Sequence, residues 1–354
     1  MSYPKVIIDK TKLKQNVDRL VNICTKSKIN VVGVTKVFCG MKELAQVYAN
    51  GGIKILADSR IDNLRKYKDI QVPKMMLRLP MISEAENIVK YSDISLNSEL
   101  ETIREISKHS QKQKKKHNVI LMVDLGDLRE GIFEENEIYD SVKEILTFKG
   151  IKLLGIGTNL TCYGGVIPRS ENLNRLINIK NNIESQFGVT LDVISGGNSS
   201  SLHLIESKKM PKDINQLRLG ESLVLGRETA FGKNISGTNK DVFKMEVEII
   251  ELKEKPSVPL GEIGMDAFGN KPTFIDKGMV KRGICAIGKQ DIDISDIEPV
   301  DETVSIIGES SDHLILDLSD SDSEYKVGDT ITFNVSYGGI LKLMTSEYVY
   351  KEII

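Results

Sequence analysis

Lys36 is the first residue whose position indicates chemistry. It follows the run "VVGVT" (31–35), whose β-branched residues predict a buried strand. An ammonium at the end of a core strand costs free energy unless it is paired, deprotonated or used in covalent chemistry. The alternative is that Lys36 has already left the core and points into water.

A second stretch, "ISGGNSSSLHLI" (194–205), predicts a phosphate site. The predicted strand ends at Ser195, two glycines follow, and Asn198 and three serines open a predicted helix. Glycines let an anion approach the backbone closely, and the first amides of a helix bind phosphate oxygens together with serine hydroxyls. The alternative is an ordinary capped turn that binds no ligand.

The third candidate is Arg218, which lies inside the apolar run "QLRLG" (216–220). A guanidinium cannot lose its proton, so it must find an acceptor, and a structural ion pair is the alternative. A strand-end lysine, a phosphate site and an inward arginine together indicate pyridoxal 5′-phosphate, with Lys36 forming a Schiff base. No glycine-rich dinucleotide motif or P-loop in the chain competes for that phosphate.

The elements that position these residues form a regular alternation. Eight apolar runs, each followed by a helix or helical loop, predict an α/β fold with a parallel (β/α)8 TIM-type barrel over residues 10–230. In such barrels the catalytic groups lie at the carboxyl ends of the strands, which is where Lys36 falls. The predicted strands are 31–35, 53–57, 74–78, 94–96, 119–125, 152–158, 191–195 and 216–220.

The pattern changes after residue 230. The runs 242–252, 282–288, 304–308, 313–319 and 329–338 are separated by turns, without helical spacers long enough for parallel crossovers. This predicts a C-terminal antiparallel β domain over residues 231–354. The N-terminal residues 1–9 include a further strand, which is predicted to join that domain.

Composition narrows the possible partners. Charged residues make up 28% of the 354 residues and the formal net charge is −2, which favours neither a nucleic-acid nor an acidic membrane partner. With no transmembrane-length apolar run and no signal-peptide core, the sequence predicts a cytoplasmic protein. The cysteines lack metal-site spacing, so no metal is predicted and free thiols are expected, with Cys39 and Cys162 near the motifs read as small buried hydrophobes. The four are Cys24, Cys39, Cys162 and Cys285.

Longer motifs resemble the alanine racemase family of fold-type III pyridoxal-phosphate enzymes, nearly end to end. Within that family the chain is similar to members that act on ornithine, so the resemblance implies ornithine as the small-molecule substrate. Several stretches are too long and unusual for chance. They are "LADSRIDNLRKYKD" (56–69), "VDLGDLREG" (123–131), "GIGTNLTCYGGVIP" (155–168), "ISGGNSSSL" (194–202), "LRLGESLVLGRETAFG" (217–232), "GEIGMDAFGNKP" (261–272) and "ESSDHLILD" (309–317).

The resemblance implies a role for each matching residue. Lys36 matches the lysine that bonds the cofactor and serves as one of two opposed bases. Arg218 matches the arginine that hydrogen-bonds the pyridine nitrogen and leaves it unprotonated, because a guanidinium does not give up a proton. Arg129 matches an arginine near the substrate carboxylate, and Asn159 replaces a histidine beside the cofactor ring. The implied phosphate contacts are Ser199, the amides around Gly220 and Glu221, and Tyr337 in "VSYG" (335–338).

Three departures from the family affect the expected mechanism. Gly40 stands where a tyrosine often follows the lysine, and Met122 stands where the family has a carbamylated lysine. Lys289 falls where alanine racemases place a catalytic tyrosine that is contributed by the partner subunit. The second base is therefore open, and the candidates are His313, Asp291 and Lys289.

The resemblance implies racemisation by removal and return of the α-proton on opposite faces, in a head-to-tail homodimer with a shared active site. The δ-ammonium of ornithine requires a carboxylate, and the sequence does not select among the candidates. One alternative is a racemase for lysine, arginine or alanine; another is a non-enzymatic pyridoxal-phosphate carrier, which would have no use for the β domain. The candidate carboxylates are Glu130, Asp127, Glu221 and Asp291.

Overall fold

The computed structural model describes residues 2–354, which divide into two compact units. The barrel domain comprises Thr11–Lys240, and the β domain comprises the chain before Thr11 together with Asp241–Ile354. The barrel domain ends at Lys240, ten residues after the boundary that was predicted at residue 230. The segment before Lys240 is held to the barrel because Asn239 N donates to Asn16 Oδ1 at 2.6 Å and Asn16 Nδ2 donates to Asn239 O at 2.9 Å.

Strands make up most of the framework of both domains. The described part of the chain contains β1 (Lys5–Ile8), β2 (Asn30–Val34), β3 (Ile55–Asp58), β4 (Lys74–Met76), β5 (Ile94–Asn97), β6 (His117–Met122), β7 (Ile151–Gly157), β8 (Val193–Asn198), β9 (Gln216–Leu219), β10 (Phe243–Pro256), β11 (Met279–Cys285), β12 (Ile297–Pro299), β13 (Ser305–Glu309), β14 (Leu314–Asp317), β15 (Thr330–Val335) and β16 (Tyr350–Ile353).

The predicted barrel is confirmed. Strands β2 to β9 pair in parallel in chain order, and β2 pairs with β9 to close the cylinder. Side chains from alternate positions fill the interior, including Val32, Met75, Leu96 and Ile120. This interior is a packed core rather than a channel, so the chemistry of the barrel is confined to its ends.

Helices cover the outside of the barrel and bury apolar faces at helical spacing. Helix α7, for example, buries Leu173, Leu176, Ile179 and Ile183, and each side chain of this size contributes roughly 1.5–3 kcal/mol on burial. The helices are α1 (Lys10–Lys26), α2 (Lys42–Asn50), α3 (Ile61–Lys66), α4 (Ala85–Tyr91), α5 (Leu100–Lys112), α6 (Glu135–Ile145), α7 (Ser170–Phe187), α8 (Leu202–Glu206), α9 (Glu221–Leu225) and α10 (Tyr337–Thr345).

The predicted antiparallel character of the C-terminal region is confirmed. Its main sheet has the order β12-β15-β10-β11-β14-β13, and all of these pairings are antiparallel. The N-terminal strand β1 pairs antiparallel with β10 and parallel with β16. The sequence did not indicate β12, β16 or α10. Strand β12 is only three residues long, and the predicted strand 329–338 continued past Ser336, which caps α10, into the first residues of that helix.

Within residues 2–354 no helix is both long and apolar enough to cross a membrane. All four cysteines are free thiols.

Candidate active site

Lys36 lies at the mouth of the barrel formed by the carboxyl ends of the strands. All eight strands run in parallel, so the residues that follow them share this one end. Lys36 opens the short 3-10 turn Lys36–Phe38 immediately beyond β2 and is half-buried. Its amine makes no hydrogen bond or ion pair with any other residue of the described chain. The amine is therefore available for a ligand.

A buried polar cluster supports the turn that carries Lys36. Thr35 Oγ1 donates to Asp58 Oδ2 at 2.6 Å and lies 2.8 Å from the hydroxyl of Tyr67, which is buried as well. Asp58 is fully buried at the end of β3, and burial raises the pKa of its carboxyl despite hydrogen bonds from neutral groups. The cluster joins the ends of two neighbouring strands, so it restricts the direction in which Lys36 leaves the barrel.

Arg218 is 3% exposed and its guanidinium has no direct carboxylate partner among the described residues. It donates to Thr158 O at 2.6 Å, to Asn159 Oδ1 at 2.8 Å and to Ser195 Oγ. Burial lowers the pKa of Arg218 to about 10, so the guanidinium stays charged at neutral pH. Arg218 therefore has the acceptors that the sequence predicted. They are neutral oxygens, so the arginine does not form a structural ion pair.

The predicted phosphate segment brings the ends of β8 and β9 together. Ser199 Oγ accepts hydrogen bonds from the backbone N–H of Gly220 at 3.4 Å and of Ser222 at 3.2 Å. It also lies 3.0 Å from Ser222 Oγ. Gly197 has φ +108°, and a Cβ there would lie 2.8 Å from Ser201 Oγ, so a side chain would crowd the segment. Hydroxyls and strand-end amides therefore converge at one place.

Arg129, Glu130 and Asn159 form a hydrogen-bonded group beside Arg218. The Arg129 guanidinium is bidentate on the Glu130 carboxylate, with Nη2 2.7 Å from Oε1 and Nε donating to Oε2. Asn159 Nδ2 also donates to Glu130 Oε1. Burial raises the pKa of Glu130, but the hydrogen bonds from Arg129 and Asn159 outweigh it and hold the pKa below its usual range.

Asp127, one of the proposed ammonium receptors, is occupied by the backbone. The residue is 1% exposed, and its carboxylate accepts four N–H groups, from Thr161 and Val166 at 3.0 Å each, Cys162 at 3.1 Å and Tyr163 at 3.0 Å. Burial raises the pKa of Asp127, but these amides outweigh it and lower the pKa. Asp127 fixes the loop after β7 and leaves no lone pair directed at a substrate.

Cys162 does not occupy the buried position predicted for it. The residue as a whole is exposed, and its Sγ accepts a hydrogen bond from Asn198 Nδ2 at 3.2 Å. Atoms that shield the thiol from water raise its pKa, and the charges of Arg129, Arg218 and Lys36 oppose that rise. These three cations therefore lie near one another at the mouth.

The three candidate bases of the β domain each have a partner within that domain. His313 Nδ1 lies 2.8 Å from Asp312 Oδ1, and its side chain is 44% exposed. Asp291 is buried and accepts a hydrogen bond from Ser346 Oγ at 2.5 Å. Lys289 Nζ lies 3.6 Å from Glu309 Oε1 and 4.6 Å from the centroid of the Phe268 ring. Tyr337 begins α10 and is half-buried.

Several residues that complete the site could not be found from sequence. Thr158 O and Ser195 Oγ hold Arg218, and Ser222 completes the group around Ser199. All three are small polar residues, and their position in or next to a recognised motif was the only available signal. The family tyrosine replaced by Gly40 is excluded locally, because Gly40 has φ +62° and a Cβ there would lie 2.7 Å from Asn63 Cβ.

These residues fit pyridoxal 5′-phosphate. The cofactor needs an amine to bond, a partner for its ring nitrogen, and amides and hydroxyls for its phosphate. Lys36, Arg218 and the group around Ser199 offer these three in the same mouth. Thr158 Oγ1 is buried beside Arg218 without a hydrogen-bond partner in the described chain, which leaves a further polar group for a ligand.

The fold and this site define a two-domain enzyme with an α/β barrel and a lysine at its mouth. The family model for the N-terminal domain of alanine racemase matches residues 8–228. The chain belongs to the alanine racemase family.

Relatives match nearly the whole chain. It is 51% identical over 352 residues to an ornithine racemase from Acetoanaerobium sticklandii, covering 99% of this chain and 100% of that protein. It is 41% identical over 353 residues to a lysine racemase from Thermotoga maritima, covering 99% of this chain and 98% of that protein. Among solved structures, an alanine racemase from Bartonella henselae with covalently bound pyridoxal phosphate aligns with a TM-score of 0.76 at 18% identity, covering 100% of both chains.

Proposed function

We propose that the protein is a pyridoxal-phosphate-dependent racemase that interconverts L-ornithine and D-ornithine. The observation that carries the proposal is the 51% identity to an ornithine racemase over 99% of this chain and 100% of that protein. The barrel mouth supports it, because an unpaired lysine amine and a buried charged arginine lie there together.

The cofactor would be held by residues from four barrel-strand ends and by one residue of the β domain. Lys36 would bond it covalently, and Arg218 would donate a hydrogen bond to its ring nitrogen. The phosphate would be bound by the Ser199 hydroxyl, by the backbone amides of Gly220 and Glu221, and by Tyr337. Asn159 would lie beside the ring, where its amide oxygen accepts from Arg218 at 2.8 Å.

When bound, pyridoxal 5′-phosphate draws electron density from the α-carbon of the substrate and so acidifies its proton. The Lys36 amine would take or return the α-proton on one face. Arg218 would keep the ring nitrogen unprotonated, because a guanidinium donates a hydrogen bond but does not transfer its proton near neutral pH. An unprotonated ring nitrogen makes the cofactor a weaker electron acceptor, which favours return of the proton to the α-carbon of the substrate.

Racemisation also needs a group on the opposite face, and this chain lacks the family tyrosine there. His313 is our first candidate, because a neutral imidazole can accept a proton near pH 7. Asp291 and Lys289 are the alternatives. We further propose a cytoplasmic head-to-tail homodimer, in which this group comes from the partner subunit.

Arg129 would bind the substrate carboxylate. Its Nε and Nη2 are taken by Glu130, so Nη1 remains for that contact. For the δ-ammonium, the saturated Asp127 is the weakest of the four candidate carboxylates. Glu221 and Asp291 keep more acceptor capacity, since Glu221 pairs with Arg227 through one oxygen and Asp291 accepts one hydroxyl.

Lysine is the second candidate substrate, because a lysine racemase is 41% identical to the chain. A panel of L-ornithine, L-lysine, L-arginine and L-alanine, with chiral separation of the products, tests the proposal. We expect D-ornithine to form with the highest kcat/KM. Faster turnover of lysine would show that lysine, and not ornithine, is the preferred substrate. Absence of any D-amino acid from a protein with bound cofactor would favour a non-enzymatic carrier.

A further inference from the structure

Glu130 lies between the two arginines of the barrel mouth. Its side chain is 13% exposed, whereas the Arg129 side chain is 40% exposed. Oε1 accepts from Arg129 Nη2 and from Asn159 Nδ2, and Oε2 accepts from Arg129 Nε. With three donors on two oxygens, the carboxylate is committed to protein partners, so it is poorly placed to receive a substrate ammonium as well.

The Asn159 amide connects Glu130 to Arg218. A guanidinium only donates hydrogen bonds and a carboxylate only accepts them, so a group that bridges Arg218 and Glu130 must accept on one side and donate on the other. Asn159 meets this requirement, with Oδ1 2.8 Å from Arg218 Nη2 and Nδ2 donating to Glu130. Reversing the amide would set its oxygen against the carboxylate and its NH2 against the guanidinium. Glu130 and Arg218 together therefore determine which way the Asn159 amide points.

The charge balance of the mouth depends on the same residue. Lys36, Arg129 and Arg218 act together on Cys162, and Glu130 acts on it with the opposite sign. Glu130 is also the first charge that opposes the fall in the pKa of Arg218 caused by burial. Its anion thus offsets part of the positive charge around the position where the cofactor ring would lie.

We propose that Glu130 is a positioning residue that joins the two arginines of the site, holding Arg129 directly and Arg218 through the Asn159 amide. Glu130 does not contact the reacting atoms. Its effect on the reaction passes through the orientation of Arg129 toward the substrate carboxylate and through the charge beside the cofactor ring. The inference rests on the proposed function, because the roles of both arginines do.

Glu130→Gln tests the inference by removing the charge at nearly constant shape. The new NH2 would face the N–H groups of Arg129 or Asn159, so at least one hydrogen bond is lost. We expect KM for L-ornithine to rise about tenfold, the equivalent of one charge-assisted hydrogen bond. We also expect the pH midpoint of the visible absorbance of the bound cofactor to fall by roughly one unit, because losing a nearby anion disfavours the protonated form.

Two further variants separate charge from geometry. Glu130→Asp keeps the anion but shortens its reach, so KM should rise while the pH midpoint stays close to the wild-type value. Glu135→Gln, which removes a glutamate paired with Arg175 at 3.1 Å on the outside of the barrel, should change neither quantity. If Glu130→Gln does not fold, Glu130→Asp becomes the test. The inference then predicts a higher KM and an unchanged pH midpoint for that variant.

An unchanged KM and an unchanged midpoint in Glu130→Gln would overturn the inference. A lower melting temperature with an unchanged midpoint would overturn it as well, since it would assign Glu130 a purely structural role. The absorbance titration uses no substrate. It therefore still tests Glu130 if the wild-type protein does not racemise ornithine, and the two failures can be told apart.

Discussion

The barrel mouth and the predicted bases of the β domain differ in how their polar groups are held. In the mouth, hydrogen bonds connect residues that are far apart in sequence, such as Arg218 with Thr158 and Asn159. In the β domain, His313 contacts its own neighbour Asp312, and no described contact joins it to Asp291 or Lys289. The mouth joins several strand ends in one hydrogen-bonded group, whereas the candidate bases of the β domain have separate partners. These are Asp312 for His313, Ser346 for Asp291 and Glu309 for Lys289.

This contrast predicts that substitutions in the mouth change the cofactor and the reaction together. Substitutions of the three candidate bases of the β domain should change the reaction alone.

Lys36→Ala should produce the largest effect. Loss of the amine removes both the covalent attachment and one base, so we expect racemisation to fall by at least ~10³-fold and the visible absorbance of the lysine-bound cofactor to disappear. Lys42→Ala is the matched control, because Lys42 is an exposed lysine that pairs with Asp69. If Lys36→Ala still racemises ornithine, Lys36 and the barrel mouth do not take part in the reaction.

Arg218→Glu should have the next largest effect. A carboxylate beside the ring nitrogen favours its protonated form, so we expect racemisation to fall by roughly 10²-fold and slow transamination to a keto acid to appear. Mass spectrometry of the products measures both. Arg218→Lys keeps a positive charge and should not transaminate. Loss of the cofactor without any keto acid would indicate a purely structural arginine.

His313→Asn tests the β-domain side of the comparison. If His313 is the second base, exchange of the α-proton in D₂O should slow by ~10²-fold from one enantiomer of ornithine and much less from the other. Cofactor absorbance should not change. His109→Asn on α5 serves as the control histidine. A mild and equal effect on both enantiomers would count against His313, and Asp291 and Lys289 would then be tested in the same way.

Asp127→Asn should give the smallest effect, on stability rather than chemistry. An asparagine offers one acceptor oxygen where four backbone N–H groups converge, so we expect a loss of roughly 1–3 kcal/mol of unfolding free energy in urea.

The effect of Asp127→Asn should depend on pH. Because the pKa of Asp127 is lowered by folding, its contribution is present above the ordinary aspartate pKa and is lost as pH falls through the lowered value. The difference between wild type and variant should therefore shrink in acid, and a constant difference would contradict the account.

The sequence predicted the elements of the barrel well because its strands are continuous apolar runs separated by helices. Lys36 and Arg218 could be selected for the same reason, since a cation inside or directly after such a run is unusual. Glu130 could not be given its role, because its partner Asn159 lies on another strand end and only the closed barrel brings the two together. The buried position expected for Cys162 was wrong, since hydropathy does not show which side of a loop faces solvent.

The most direct test of the central claim is to identify the lysine that carries the cofactor. The purified coloured protein is reduced with borohydride, digested and mapped by mass spectrometry. We expect the pyridoxyl group on the peptide that contains Lys36, at a stoichiometry near one per chain. A pyridoxyl group on any other lysine would contradict the account.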